Sequence, residues 1–432
     1  MRTSATLLAA PVVALALAPA VRAGEADANA PQSEMDLRVE PAREERPVFE
    51  RFFSNWSHEA ALERRMFLAE LRGRLGIEGR PEPADWSERT AGKGKLVVGP
   101  GGVPIVHLRG TPEERGEQHG RLLGREARAL AETYLRAFLG RSELTRARRR
   151  AHYLFEQWLD EREKAEIAAF SRASGISPDD ALLAQSFADL YRAWGCSTIA
   201  SGGKEPLLAR NLDFPDMGFI HRYSCVFVVH PDEGAPYVAV GWPGLIGVLS
   251  GQSANGVSLA VMVVHDEHRC AEGVPFQLAF RRALMEAKDA DGVARVLEKT
   301  RLTVANNLSV VDRAGNARVL ELAQDGVVVR AGDRLVSTNH FNSTARREPR
   351  ATLTYFSSLR RYDVVKGCCE GTGDEVTLEA AQDALKKAAM PLINVQSMVF
   401  RPKEGEVYVA RGRPPVASGN WVRLQASDLL GN

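Results

Sequence analysis

Cys196 sits in the run Gly195-Cys196-Ser197-Thr198, where a helical pattern gives way to a series of short strands. If the peptide bond before it is cut, this residue carries a free α-amine beside its own thiol. Such an amine titrates at about 7.7–8.0, close enough to neutrality to act as a general base without a histidine. It can draw the proton from the thiol, and the thiolate is the nucleophile. The plain alternative is a small cysteine buried after a helix end, since cysteine is among the most buried residue types. Next comes Leu207-Leu208-Ala209-Arg210-Asn211-Leu212-Asp213-Phe214, a strand pattern ending in two charges. Arg210 and Asp213 near that end come within reach of Cys196 on the preceding strand. There the guanidinium would favour the thiolate, and the carboxylate would hold the new ammonium. By itself the pair reads equally well as a surface ion pair.

The elements that must position these residues are legible on both sides of the junction. Before it, Ser177 caps a helix that Pro178 opens, and Asp179 and Asp180 suit its positive end. Leu183, Phe187, Leu190, Tyr191 and Trp194 make its buried face, and it runs up to Gly195. Further upstream, Thr111-Pro112-Glu113-Glu114 is a helix start with a capping box. Gly116, Gly120 and Gly124 then leave a bare stripe, at ~1 kcal/mol each relative to alanine, which close packing against another element would offset. The cluster Arg146, Arg148, Arg149 and Arg150 reads as a solvated helix face. Residues 48–76 show helical spacing, residues 79–102 a Pro/Gly-rich connector, and Val103–Leu108 a strand. After Cys196 strands are expected at 197–201, 207–212, 225–230, 237–241, 245–250 and 257–264. Two helical windows follow near 275–299, then strands at 303–311, 317–322, 326–330 and 334–338. Helices near 352–366 and 375–389 precede a final hairpin, 397–401 with 407–411. The chain thus divides at 195/196 into a helical front and a strand-rich rear.

Gly195-Cys196-Ser197-Thr198-Ile199-Ala200 followed by Ala209-Arg210-Asn211-Leu212-Asp213-Phe214 resembles the N-terminal-nucleophile cysteine hydrolases. The branch is the one with isopenicillin-N acyltransferase, choloylglycine hydrolase, penicillin V acylase and acid ceramidase. Leu249-Ser250-Gly251 with Gly256-Val257-Ser258-Leu259 is similar to the family's strand pair, implying a backbone oxyanion donor near Val263. Ser337-Thr338-Asn339-His340 resembles its Thr-Asn segment, which makes the Asn339 amide the second donor. Ser357-Ser358-Leu359-Arg360-Arg361-Tyr362 resembles the segment with a second active-site arginine, Arg361 or, failing that, Arg360. Gly110–Gly124, with Glu114, Gly116, His119 and Gly120, is similar to the start of the family's pro-region. The resemblance runs over roughly 103–415; the stretch before residue 100 matches nothing in it. It implies an α+β fold, a four-layer αββα sandwich preceded by a helical pro-segment. It also implies self-cleavage between Gly195 and Cys196, with 103–195 and 196–432 becoming alpha and beta chains that stay associated. Catalytic roles fall to Cys196, Arg210, Asp213, Asn339 and Arg361, on linear amide bonds of a small N-acyl substrate, by hydrolysis or acyl transfer, without cofactor or metal.

Composition narrows the field. The 432 residues are 44% hydrophobic and 26% charged, ordinary for a globular protein, and 56 basic against 55 acidic residues leave no field to recruit nucleic acid. Arg2, the apolar run Leu7–Ala18 and Val21-Arg22-Ala23 read as an export signal over 1–23, predicting a periplasmic or secreted protein. No apolar run reaches the ~20 residues of a membrane span. A polar tail and linker fill the rest of 24–102. Five cysteines, sparsely placed, do not read as a disulfide framework. His265-Asp266-Glu267-His268 would converge on a metal only on a helix, and the preceding run reads as strand. Two other functions stay open: a lipid-ester deacylase, and a non-catalytic secreted binding protein of the same fold.

Overall fold

In the computed structural model the described residues are 63–77, 79–192, 195–264, 270–346, 352–371 and 375–431. The proposed export signal, the tail as far as residue 62 and the row His265–His268 lie outside them. Among the described residues no helix is long and apolar enough to cross a membrane.

The front contributes a helix at 63–75 (α1), strands Arg89–Ala91 (β1), Gly94–Val98 (β2) and Pro104–Gly110 (β3), and then helices only. These are Pro112–Ala129 (α2), Arg136–Phe155 (α3), Glu161–Ser174 (α4) and Pro178–Leu190 (α5). The capping box of α2 forms as expected: Thr111 accepts from the Glu114 amide while the Glu114 carboxylate accepts from the Thr111 amide. Ser177 caps α5 through the Asp180 amide. The glycine stripe of α2 lies against α4. A Cβ at Gly120 would stand 2.6 Å from the Ala173 Cβ, and one at Gly124 3.0 Å from the Ser174 Cα. Two arginines of the cluster form ion pairs, Arg148 gripping Asp180 at 2.7 and 2.8 Å and Arg146 meeting Glu143.

The rear opens with Gly195–Ser201 (β4) and Leu207–Asp213 (β5), then Cys225–Pro231 (β6), Tyr237–Gly241 (β7), Ser250–Ser253 (β8) and Val257–Val263 (β9). Helices Phe276–Glu286 (α6) and Ala290–Leu297 (α7) precede Asn306–Asp312 (β10), Ala317–Ala323 (β11), Gly326–Ala331 (β12) and Arg334–Ser337 (β13). Leu353–Glu370 (α8) and Leu378–Ala388 (α9) lead to Asn394–Arg401 (β14), Glu406–Arg411 (β15), Asn420–Gln425 (β16) and Ala426–Leu430 (α10).

Two sheets result. One has ten strands in the order β1-β2-β3-β6-β7-β8-β9-β10-β11-β12, the other six in the order β13-β4-β5-β14-β15-β16. Among the described strands only β3 and β6 pair in parallel, which brings the front's last strand into the rear's sheet. Three apolar clusters define the layers. Leu123, Phe170 and Leu183 of the front helices meet Val261, Phe280 and Leu320 of the rear on one face of the large sheet. Val226, Val240, Leu208 and Phe400 fill the space between the sheets. Ile199, Ala209 and Val399 back the small sheet onto Val365 and Leu385 of α8 and α9. Each strand of a doubly covered sheet buries both faces, which is why β4, β5 and β9 are buried throughout. The layer order is therefore αββα, as expected.

Two expectations are corrected. The connector at 79–102 holds the β1–β2 hairpin, which the polar Arg89-Thr90-Ala91 and its short length concealed. The strand expected at 245–250 begins only at Ser250, because the side-chain oxygen of Gln185 takes the Ile246 and Gly247 amides. No neighbouring strand is then needed there.

Candidate active site

Strand parity decides what gathers around Cys196. In the β4–β5 ladder Cys196 lies opposite Leu212 and Thr198 opposite Arg210, so Cys196 and Arg210 share the face turned to the large sheet. Their side chains meet, Arg210 Nη2 lying 3.6 Å from Cys196 Sγ. Nη1 of Arg210 donates to the Leu249 carbonyl at 3.3 Å and to the Ser250 hydroxyl, which fixes the guanidinium from the other sheet. Both residues are buried. Burial pushes the Cys196 thiol above the usual thiol range, and the Arg210 charge opposes that rise. In the continuous chain the thiol is thus the favoured form.

Asp213 stands on the other face of β5, opposite Gly195 rather than Cys196. Its Oδ1 accepts from Asn394 Nδ2 at 3.0 Å and from the Met390 amide at 3.4 Å, whereas Oδ2 is buried without a partner. Burial pushes this carboxyl up to about 6 against the pull of Arg361. The sequence placed Arg210 and Asp213 together; the structure sets them on opposite faces, since residues three apart on a strand point opposite ways.

Asn339 reaches Cys196 through the β13–β4 register. That ladder pairs Ser337 with Thr198, and continuing it by two residues sets Asn339 beside Cys196. Oδ1 of Asn339 accepts from the Cys196 amide at 2.7 Å and from Arg361 Nη2 at 2.9 Å. Its Nδ2 donates to the Val263 carbonyl at 2.8 Å, bridging the two sheets. Two donors at one end and an acceptor at the other assign the orientation of the amide. Val263 therefore meets Asn339 through its carbonyl. Arg361 is the arginine turned inward: Nη1 donates to the Cys196 carbonyl and, at 3.2 Å, to the Ser197 hydroxyl, while Arg360 is exposed. His119 is buried against the rings of Phe170 and Phe227. Its Nε2 accepts from the Gly244 amide at 3.0 Å, and desolvation holds it down to about 4.

An apolar cavity of about 120 Å³ is walled by residues that include Leu130, Tyr134, Phe187, Phe214, Trp242 and Leu249. Leu249 joins it to the Arg210 contact and Phe214 to Asp213. Among the described residues no group of three or more His, Cys, Asp or Glu is placed to hold a metal ion. No disulfide joins cysteines among the described residues. Sequence reasoning missed Ser250 and Asn394, the immediate partners of Arg210 and Asp213. Ser250 lay within a motif already noted for its backbone; Asn394 sits on a distant strand and carried no local signal.

Residues 200–380 match the family described as acyl-coenzyme A:6-aminopenicillanic acid acyl-transferase, a stretch that includes Arg210, Asp213, Asn339 and Arg361, with Cys196 just outside it. An uncharacterized protein of Archaeoglobus fulgidus is 22% identical over 272 residues, a span of 54% of this chain and 45% of that relative. The Caenorhabditis elegans ortholog of N-acylethanolamine-hydrolyzing acid amidase aligns over 48% of this chain and 93% of its own, at 15% identity and a TM-score of 0.38. A mutant of conjugated bile acid hydrolase from Clostridium perfringens aligns over 55% and 94%, at 12% identity and a TM-score of 0.40. Penicillin V acylase from Agrobacterium tumefaciens aligns over 54% and 87%, at 12% identity and a TM-score of 0.37.

Proposed function

We propose that this protein is an exported amidase or acyltransferase that cuts its own chain between Gly195 and Cys196 and then uses Cys196 on the amide bond of a small N-acyl substrate. The observation that carries the reading is the convergence on buried Cys196 of three separate segments, Arg210 at its thiol, Asn339 at its amide and Arg361 at its carbonyl. In the first step Sγ adds to the Gly195 carbonyl carbon and the Cys196 nitrogen leaves, taking the thiol proton. Water then hydrolyses the thioester, leaving a Gly195 carboxylate and a Cys196 α-amine. Asp213 supports this order of events. It lies opposite Gly195 and keeps a partnerless Oδ2, so departure of that glycine opens room for the new ammonium beside a carboxylate.

With the amine as base, Cys196 attacks the substrate carbonyl. Asn339 Nδ2, which has a second hydrogen beyond the one given to Val263, is the donor for the oxyanion. The amine product leaves, and water or a second amine resolves the acyl-enzyme. The apolar cavity beside Leu249 and Phe214 accepts the acyl part. Denaturing electrophoresis with N-terminal sequencing tests the reading. Active wild-type protein should yield a chain beginning at Cys196, and Cys196→Ala should stay whole and inactive. A fully active preparation containing only uncut chain would overturn it.

A further inference from the structure

The cluster behind Asn339 has no role in the mechanism just given, yet its hydrogen bonds close into a complete set. Ser358 Oγ accepts from the Asn339 amide at 2.8 Å. The same oxygen lies 2.8 Å from His340 Nδ1 and 3.0 Å from Thr338 Oγ1. Thr338 Oγ1 in turn lies 3.1 Å from the Ser358 carbonyl. A carbonyl only accepts, so the Thr338 hydroxyl spends its hydrogen there, and the Ser358 hydroxyl is left to donate to Thr338 Oγ1. His340 Nδ1 then faces two oxygens whose hydrogens are spent, Ser358 Oγ and, at 3.1 Å, Thr338 Oγ1, which puts the imidazole hydrogen on Nδ1. The other ring nitrogen agrees: His340 Nε2 faces Asn342 Nδ2 at 3.3 Å, an amide donor that requires an acceptor. One tautomer satisfies every member, and the four residues from Thr338 to Phe341 are buried along with Ser358.

The set is aimed at one residue. Ser358 and Arg361 are one turn apart on α8, so this helix holds Asn339 twice, by its backbone amide and by its side-chain oxygen. Asn307 of β10 grips the same loop from the large sheet, donating to the carbonyls of Thr338 and His340 at 3.0 and 2.8 Å. Tyr355 and Tyr362 pack edge-on against the imidazole, with ring centres 5.8 and 5.5 Å away. An amide that must meet a developing oxyanion gains from such support, because placement errors of a fraction of an ångström cost rate.

We infer that His340, Ser358 and Thr338 are positioning residues that hold the Asn339 amide in register with the Cys196 reaction, both in self-cleavage and in turnover. This rests on the reading of Cys196 as nucleophile and Asn339 as oxyanion donor. The test uses His340→Phe, which keeps the ring between the tyrosines but removes the Nδ1 hydrogen, and His340→Asn, whose amide nitrogen falls near the Nδ1 position. Ser358→Ala, which strips the Asn339 amide of its acceptor, is an independent third variant. Turnover of an amide substrate is measured on the folded gel-filtration fraction, per Cys196 thiol titrated with iodoacetamide and located by peptide mapping, so that neither unfolded protein nor the other four cysteines count. His340→Phe and Ser358→Ala should lower kcat roughly 10-fold or more, short of the ≈ 10²–10³ of losing an oxyanion donor outright. KM should stay within about twofold. Self-cleavage should slow in parallel, and His340→Asn should regain part of the lost kcat. Wild-type kcat per titrated thiol in either His340→Phe or Ser358→Ala, or no recovery in His340→Asn, would overturn the inference. Should Cys196→Ala remain active, the nucleophile reading itself fails, a result separate from these.

Discussion

At the scale of single residues, Arg210 and Asp213 have separable electrostatic duties. The guanidinium opposes the burial that drives the Cys196 thiol upward, so Arg210→Gln should raise that thiol further. Alkylation by iodoacetamide near neutral pH should be slower than in wild type, and an equal rate across a pH series would deny Arg210 any hold on the thiol. Asp213 works in the opposite sense on stability. Its carboxyl is pushed up from 3.8 to about 6 in the folded chain, so between those values the folded state keeps a proton that the unfolded state releases. Stability must therefore fall as pH rises through that window. The cost is absent below the lower value and complete above the upper one, amounting to about 3 kcal/mol for a shift of that size. In an uncut Cys196→Ala background, Asp213→Asn should flatten this fall. Urea titrations from pH 4 to 7 are the measurement, and parallel curves for the two proteins would contradict it.

At the scale of elements, the glycines divide into those a neighbour forbids from growing and those left free. Gly116 of α2 faces backbone: an added Cβ would press on the Glu166 carbonyl and stand 2.9 Å from the Phe170 nitrogen of α4. Backbone cannot swing aside as a side chain can, so Gly116→Ala should destabilise by about 1–3 kcal/mol. Gly367 of α8 has nothing within 4 Å of its Cβ position. There the same change removes only the cost of a helical glycine, and Gly367→Ala should stabilise by up to about 1 kcal/mol. Denaturation midpoints of the two variants should move in opposite directions. The stripe on α2 was legible because its spacing is periodic; its partner was not, since α4 advertises nothing complementary beyond small residues at Ala169, Ala173 and Ser174.

At the scale of the whole molecule, front and rear share one core rather than meeting at an interface. Front and rear side chains fill the same apolar layer, and β3 pairs directly with β6. A buried ionic cluster spans the division as well: Glu166 of α4 holds Arg115 of α2 and Arg281 of α6, each at 2.8 Å. The proposed cleavage before Cys196 would remove none of these contacts. The two fragments should therefore co-elute in gel filtration under native conditions and part only in denaturant; separation in native buffer would contradict this reading of the core. Glu166→Ala would leave two arginines facing each other without their shared carboxylate, and truncating one member of such a buried set typically costs about 3–5 kcal/mol.

The sequence alone determined the local features: the caps at Thr111 and Ser177, most of the strands, the αββα layering through the family resemblance, and the identity of Cys196, Arg210, Asp213, Asn339 and Arg361 as residues to watch. These are legible because caps, alternation and short motifs are written in neighbouring positions. What the tertiary structure decided depends on residues far apart in the chain. It turned Arg361 rather than Arg360 inward, set Asp213 opposite Gly195 with one oxygen unpartnered, and replaced an expected strand at 245–249 by a loop that Gln185 holds. It also closed Thr338, His340 and Ser358 around Asn339. Side-chain direction on a strand follows from its register with a partner, and a buried polar atom is satisfied by whichever segment the fold brings to it; neither is encoded within the stretch that carries the residue.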